Sequence, residues 1–291
     1  MASPFLSVII ATRQRSGQLR RCLESLTGQT YPREMWELII VHDGEDDASE
    51  NVVASFQAQL PIRSFRRAHA GCGLARNTGA AEAIGEHFIF TDDDCLFPTD
   101  WLSRYGASVR QNPTRMIAGA SLNGLASNRY AQATQAMTEF LLQHANSGPG
   151  DAMLALGNNM GVPRGGFREL QGFSARYYRT AAEDRDLCAR WLAAGRRILF
   201  DPGIVVLHAH ELTLRSFIRQ HYNYGCGALL FHRMQAERHQ RPFRMERVGF
   251  YVGLLLHARS TGVWLLLLLS QVAHTTGFVF GRFSVGHGGR A

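Results

Sequence analysis

Four short runs rich in apolar and β-branched residues, separated by stretches whose apolar residues recur at helical spacing, restrict the first third of this chain to one kind of architecture. Residues 6–11 (Leu6-Ser7-Val8-Ile9-Ile10-Ala11), 37–41, 62–65 and 87–91 read as strands. Between them, Leu19, Cys22, Leu23 and Leu26, then Val52, Val53, Phe56 and Leu60, and finally the Ala-rich segment 73–84 read as helices. Alternation of this kind predicts a parallel sheet covered by helices on both faces. In such sheets ligands bind beyond the carboxyl ends of the strands, and here those ends carry Thr12, Asp43 and the triplet Asp92-Asp93-Asp94.

Adjacent carboxylates at a strand end repel one another unless a cation neutralises them, so the triplet reads as a divalent-metal site of hard oxygen ligands. The plainer alternative is an Asx-rich turn of solvated acids. Asp43 stands in an Asp-Gly dipeptide, which turn chemistry alone also explains.

The second half is less regular. Thr99 is placed to cap a helix through Val109, residues 116–120 are strand-like, and residues 128–144 read as a helix. A helix near Asp184 carries Leu187, Cys188, Trp191 and Leu192 inward and stops at Gly195, while 198–200 and 204–207 read as two strands split by Asp201-Pro202-Gly203. Glu183 and Asp184 at that helix start serve either as a dipole-favoured cap or as a general base that takes a proton from a hydroxyl. His208 and His210 alternate on a strand and share a face, where they are either structural or complete an Asp-rich metal shell. Gly71-Cys72-Gly73-Leu74-Ala75-Arg76 begins like a dinucleotide fingerprint but has Arg in place of the third Gly and does not follow the first strand. What remains is a helix start with Arg76 suited to a phosphate, or a surface Arg.

All 31 basic residues are Arg, so phosphate-loop nucleotide chemistry and Schiff-base chemistry, which need a Lys, are excluded. The net charge of +7 is concentrated in residues 213–247, which hold seven Arg and two Glu. The apolar stretches 248–257 and 263–280 follow, the second marginally long for crossing a bilayer and polar enough in its latter part to lie in the interface. Together these features point to an anionic membrane surface, with a buried or dimer-forming helix pair as the alternative. The division expected is 1–212 for the α/β domain and 213–291 for a basic, apolar helical extension. Five dispersed cysteines without a C-x-x-C pair fit reduced cytosolic thiols, and the N-terminus lacks the basic region of a signal peptide.

Several segments, in order, resemble the family 2 glycosyltransferases, inverting enzymes of the GT-A fold. Ser7-Val8-Ile9-Ile10-Ala11-Thr12-Arg13 is similar to the family's opening strand, and Leu26-Thr27-Gly28-Gln29-Thr30-Tyr31-Pro32 to its S-L-x-x-Q-T-Y-P segment. Val41-His42-Asp43-Gly44-Glu45-Asp46-Asp47 resembles V-D-D-G-S-x-D, with His42 and Glu45 departing from it. Gly73 to Gly79 resembles the A-R-N-x-G helix, and Thr91-Asp92-Asp93-Asp94 the D-x-D strand end. Asn159 matches an Asn common before the acceptor region, and Glu183-Asp184-Arg185-Asp186-Leu187 with Arg190 the E-D-x-D-L-x-x-R box. Residues 219–227 resemble an R-x-x-Y-x-Y-G-x-G helix of some bacterial members, in which Tyr222 and Tyr224 either pack or line an acceptor entrance.

The resemblance implies a GT-A, Rossmann-like mixed sheet with helices on both faces and an apolar C-terminal helical extension. It implies Asp184 as catalytic base, and Asp92, Asp94 and His208 around a Mn²⁺ or Mg²⁺ ion. Thr12, Arg13, Asp43, Arg76, Asp92, Asp93, Asn159 and Glu183 would contact substrates. The donor would be a nucleoside diphosphate sugar, with UDP-sugars favoured, and the acceptor a glycan or lipid-linked hydroxyl in bacterial cell-surface glycan or glycolipid synthesis. The setting would be the cytoplasmic face of the cell membrane, and no nucleic acid is involved. Two alternatives remain at this point: a sugar-nucleotide nucleotidyltransferase, although 11–16 lacks a Gly-rich loop, and a non-catalytic membrane-bound assembly protein.

Overall fold

A computed structural model describes residues 3–146, 152–178, 181–239 and 248–285. Its N-terminal part runs β1 (Leu6–Thr12), α1 (Ser16–Leu26), β2 (Trp36–Asp43), α2 (Asp47–Phe56), β3 (Ile62–Arg67), α3 (Cys72–Glu82) and β4 (His87–Asp92). Then come β5 (Cys95–Leu96), α4 (Trp101–Gln111), β6 (Met116–Asn123), α5 (Arg129–Asn146), β7 (Asn159–Pro163), α6 (Arg164–Glu169), α7 (Glu183–Ala193) and β8 (Ile198–His208). Three helices close the chain: α8 (Leu214–His239), α9 (Val248–Leu256) and α10 (Thr261–Val285).

The described strands form one eight-stranded sheet in the order β3-β2-β1-β4-β7-β6-β8-β5. The first four are parallel, as the alternating pattern predicts, whereas β7 runs antiparallel to β4 and β6, and β5 antiparallel to β8, so the sheet is mixed. Strand alternation splits the apolar residues cleanly between two cores. Val8, Ile10, Leu38 and Ile40 face one core with Leu19, Leu23, Val53 and Trp101; Ile9, Ile39, Val41, Phe88 and Phe90 face the other with Ala75, Phe167, Leu187 and Trp191. Because both faces are covered, the strands read as continuous apolar runs, and each such side chain contributes about 1.5–3 kcal/mol on burial.

Two local expectations change. Residues 198–208 form a single strand in place of two, because the register on β6 slips between Gly119, paired with Asp201, and Ala120, paired with Val205, and absorbs Pro202-Gly203-Ile204 as a bulge. Helix α4 begins at Trp101 with no side-chain cap, and the Thr99 carbonyl instead accepts from the Thr30 amide at 2.8 Å.

The C-terminal helices are built into the fold. Ala133 and Met137 of α5, Phe217 of α8, Leu254 of α9 and Val263 and Leu267 of α10 share a third core with Leu212. Helices α8 and α10 approach backbone to backbone: a Cβ on Gly225 would stand 1.9 Å from the His274 carbonyl oxygen, and one on Gly277 2.0 Å from that of Tyr222. Only glycine permits this spacing. Gly225→Val should therefore force the helices apart and lower stability by about 2 kcal/mol or more, whereas Gly249→Val, where nothing lies within 4 Å, should leave it nearly unchanged. Urea melts of the two variants read the difference.

Candidate active site

The acidic triplet is held by two arginines and a hydroxyl. Thr12 Oγ1 donates to Asp93 Oδ2 at 2.8 Å, and Arg15 Nη1 contacts Asp93 Oδ1 at 2.9 Å while its Nη2 binds Asp94 Oδ2. Burial pushes the Asp93 carboxyl up to about 7 against the pull of Arg15. For Asp94 burial also opposes ionisation, but His208 and Arg15 outweigh it and hold the group well below the usual carboxylate range. Thus Thr12, expected at the nucleotide, uses its hydroxyl to orient an acid.

The other oxygen of Asp94, Oδ1, is buried and makes no hydrogen bond, although His208 Nε2 lies 3.2 Å away. Register places that imidazole: His208 pairs with Cys95 across β5 and β8, and the Ala209 amide donates to the Asp94 carbonyl at 2.8 Å. His210 follows, its ring centroid 4.9 Å from that of His208. Ligand atoms of Asp94, His208 and His210 all lie within 4.8 Å of one another. A buried carboxylate oxygen whose near neighbour is an imidazole nitrogen, with a second imidazole beside it, fits a divalent cation. Asp92, expected as a ligand, lies outside this cluster, and its Oδ1 accepts from Arg76 Nη2 at 2.6 Å. His210, seen to share a face with His208 but not assigned as a ligand, falls inside it.

Arg76 is only 3% exposed and joins the two halves of the crevice. Besides Asp92, it donates through Nη1 to Glu183 Oε1 at 2.9 Å, and its guanidinium stacks over Phe173. A Cβ on Gly157 would come within 2.7 Å of Nη1, so that glycine makes room for it. The guanidinium expected at a phosphate is thus engaged by protein carboxylates. Burial and the neighbouring Asp184 charge push Glu183 up to about 7, against Arg76. Asp184 is half-buried, and its two oxygens accept from the Gly157 amide at 3.0 Å and the Arg185 amide at 2.7 Å. The residue before the box, Ala182, has φ of 81°, a left-handed conformation that a non-glycine residue holds only when its surroundings impose it.

Beyond β1, β2 and β3 opens a cleft of about 560 Å³ lined by Arg13, Gln14, Glu45, Arg66, Arg67 and His69. Asp43, expected to contact substrates, accepts from His69 Nδ1 and the Ala70 and Gly71 amides, each at 2.8 Å, and so shapes one wall. Arg13 lines the cleft without a partner among the described residues. Asn159, expected at a substrate, is wholly buried on the opposite side of its strand. Its Nδ2 donates to the Ala120 and Ile204 carbonyls at 2.8 and 2.9 Å, and its Oδ1 accepts from Trp101 Nε1 and the Tyr105 hydroxyl. It stitches the β8 bulge to α4 and has no hydrogen-bonding capacity left for a ligand.

The fold is of the GT-A type. The chain belongs to glycosyltransferase family 2: residues 7–170, more than half of it, match the family described as Glycosyl transferase family 2. Over 121 residues it is 28% identical to the glycosyltransferase AglE of Haloferax volcanii, covering 40% of this chain and 39% of the relative. Over 96 residues it is 38% identical to the uncharacterized glycosyltransferase YibD of Escherichia coli, covering 32% and 27%. The matched stretches thus span well under half of these relatives. Among solved structures, it is similar in fold to the mannosyltransferase PcManGT of Pyrobaculum calidifontis in complex with GDP-Man and Mn²⁺, with TM-score 0.64, 18% identity, and 100% of this chain and 77% of that one covered. It is also similar to S. aureus TarS 1-349 in complex with UDP, with TM-score 0.57, 15% identity, and 98% and 93% covered.

Arg76→Met should leave Asp92 and Glu183 facing each other without their cation and destabilise the protein by about 3–5 kcal/mol. A denaturation curve within about 1 kcal/mol of wild type would contradict the bridging role.

Proposed function

We propose that this glycosyltransferase moves a sugar from a nucleoside diphosphate sugar to an acceptor hydroxyl with inversion, using a divalent cation and Asp184 as general base. The carrying observation is the Arg76 bridge, which brings the acid-rich end of β4 and the start of α7 to one crevice. Asp94 and His208 would hold Mn²⁺ or Mg²⁺, which when bound acts as a Lewis acid on the departing diphosphate. Asp184, oriented by two backbone amides, accepts the proton of the acceptor hydroxyl. The freed oxygen bonds to the anomeric carbon from the face opposite the diphosphate, whose bond to that carbon breaks. The cleft beyond β1 to β3 would take the nucleotide, with Arg13 free to meet it. The donor class proposed is the UDP-sugars, and the acceptor a glycan or lipid-linked hydroxyl.

Asp184→Asn should lower transfer by about 10²–10⁴-fold while leaving nucleoside diphosphate binding in Mn²⁺ unchanged, because charge is removed and shape is kept. Product release followed by chromatography, with calorimetry alongside, separates the two quantities. Wild-type turnover by this variant would assign the base elsewhere.

The same protein is proposed to work against the cytoplasmic face of a membrane. Helix α10 contains a stretch, Thr261–Gly281, long and apolar enough to cross a bilayer, yet one side of it packs along α8. Its other side exposes Trp264, Leu265, Val272, Val279 and Phe280, and α9 exposes Val248, Val252 and Leu256. An exposed apolar surface of this kind suits lying in the interface more than spanning it. Of the basic run, Arg238 is engaged by Asp186, and Arg241, Arg244 and Arg247 lie outside the described residues. Leu265→Asp with Val272→Asp should abolish flotation with vesicles containing anionic lipid and preserve the melting temperature. Wild-type protein that never floats, and elutes as a dimer, would assign this surface to a second copy of the chain.

A further inference from the structure

The α8 segment Gln220-His221-Tyr222-Asn223-Tyr224, to which the catalytic reading gives no part, reaches the metal cluster. Gln220 and Tyr224 are one helical turn apart and share a face. Gln220 Nε2 lies 2.7 Å from the Tyr224 hydroxyl and 3.5 Å from His210 Nδ1. The other end of the amide, Oε1, is buried without a hydrogen-bond partner among the described residues. His210 itself belongs to the cluster with His208 and Asp94, where Asp94 Oδ1 is buried with His208 Nε2 3.2 Å away.

We propose that His210 is a third protein ligand of the divalent cation and that Gln220, braced by Tyr224, is the positioning residue that fixes its tautomer. The proposal rests on the metal-dependent reading above. A neutral imidazole binds a cation through the nitrogen without a proton, and its other nitrogen then donates a hydrogen bond. With Nδ1 turned to Gln220, that donor needs an oxygen to accept it. The two ends of a Gln amide have the same shape, so exchanging them puts Oε1 at the position facing His210 and Tyr224 without moving the chain. Oε1 then accepts from both His210 Nδ1 and the Tyr224 hydroxyl, and His210 Nε2 is left for the ion. Two imidazoles and one carboxylate suit Mn²⁺ better than Mg²⁺, which prefers an octahedron of oxygens. In consequence the helix following the α/β domain completes the site.

Titration calorimetry of the full chain with Mn²⁺ alone tests this. Gln220→Met, similar in length but lacking the acceptor, should weaken Mn²⁺ binding by about 10–100-fold. Gln220→Glu, which when ionised can only accept, should bind at least as tightly as wild type. His210→Ala should lose at least as much as Gln220→Met, and the double variant no more than His210→Ala, because Gln220 acts only through the imidazole. Electron spin-echo spectra of bound Mn²⁺ should carry two imidazole nitrogens in wild type and one in His210→Ala. A Gln220→Met protein that melts and binds Mn²⁺ like wild type overturns the proposal, as does a Gln220→Glu protein as weak as Gln220→Met. A wild-type chain that transfers sugar but binds no Mn²⁺ overturns the metal-dependent reading instead.

Discussion

The guanidinium of Arg76, buried between Asp92 and Glu183, is the contact on which the crevice depends. Desolvating three charged groups roughly cancels their attraction, so the triad adds little net stability as a whole. Its effect is geometric. It ties the end of β4, in the parallel half of the sheet, to the start of α7, and Asp184 follows Glu183 directly on that helix. Gly157 has no side chain where Arg76 lies, and its amide holds the Asp184 carboxylate. The same short segment therefore makes room for the bridge and aims the Asp184 carboxylate. Behind it, Asp186 is wholly buried between Arg190 of its own helix and Arg238 of α8, so the C-terminal helices brace α7 from the far side.

The parallel half of the fold was legible because its signals are local. Short apolar, β-branched strands and helices with an apolar stripe need only neighbours in sequence to be recognised, and β1 to β4 follow them. The antiparallel strand β7 and the bulge in β8 depend on distant partners. Asp201-Pro202-Gly203 reads as a break between two strands, and what keeps it within one is the Asn159 amide bridging the Ala120 and Ile204 carbonyls. The C-terminal helices show the same limit. Hydropathy records that 263–280 is apolar, but not that Gly225 and Gly277 let α8 and α10 touch along one side. The boundary placed at residue 212 consequently cuts through a shared core that includes Leu212 and Phe217.

Within the site, residue types were easier to read than residue roles. Every acid of the triplet and of the Glu183-Asp184 pair lines or supports the crevice, yet Thr12, Asp43 and Arg76 turn their polar atoms to protein partners. A motif shows that a polar group is needed at a strand end. Whether that group meets a ligand or holds a neighbour depends on the opposing atoms, which come from other elements. Asn159 is the clearest case: side chains alternate across a strand, and the neighbouring Asn158 points to Ser121 while Asn159 points into the sheet's far side. His210 shows the converse, since the alternation that places it beside His208 was visible in the chain and its ligand geometry was not.

Charge then decides what the crevice can hold. Asp92, Asp93, Asp94, Glu183 and Asp184 supply five carboxylates, and Arg15 and Arg76 supply the guanidiniums, each shared by two of those acids. With every acid ionised, five against two leaves an excess of three negative charges in a site partly shielded from water. Burial relieves some of this by pushing Asp93 and Glu183 up to about 7, so that part of the excess is carried as bound protons. A nucleoside diphosphate would add further negative charge and be repelled. A divalent cation on Asp94 and His208 would reduce that excess from three charges to one, favour the ionised form of the acids around it and offer the diphosphate a direct cationic contact at the end of β4. On the metal-dependent reading, a cation already bound would therefore ease entry of the donor.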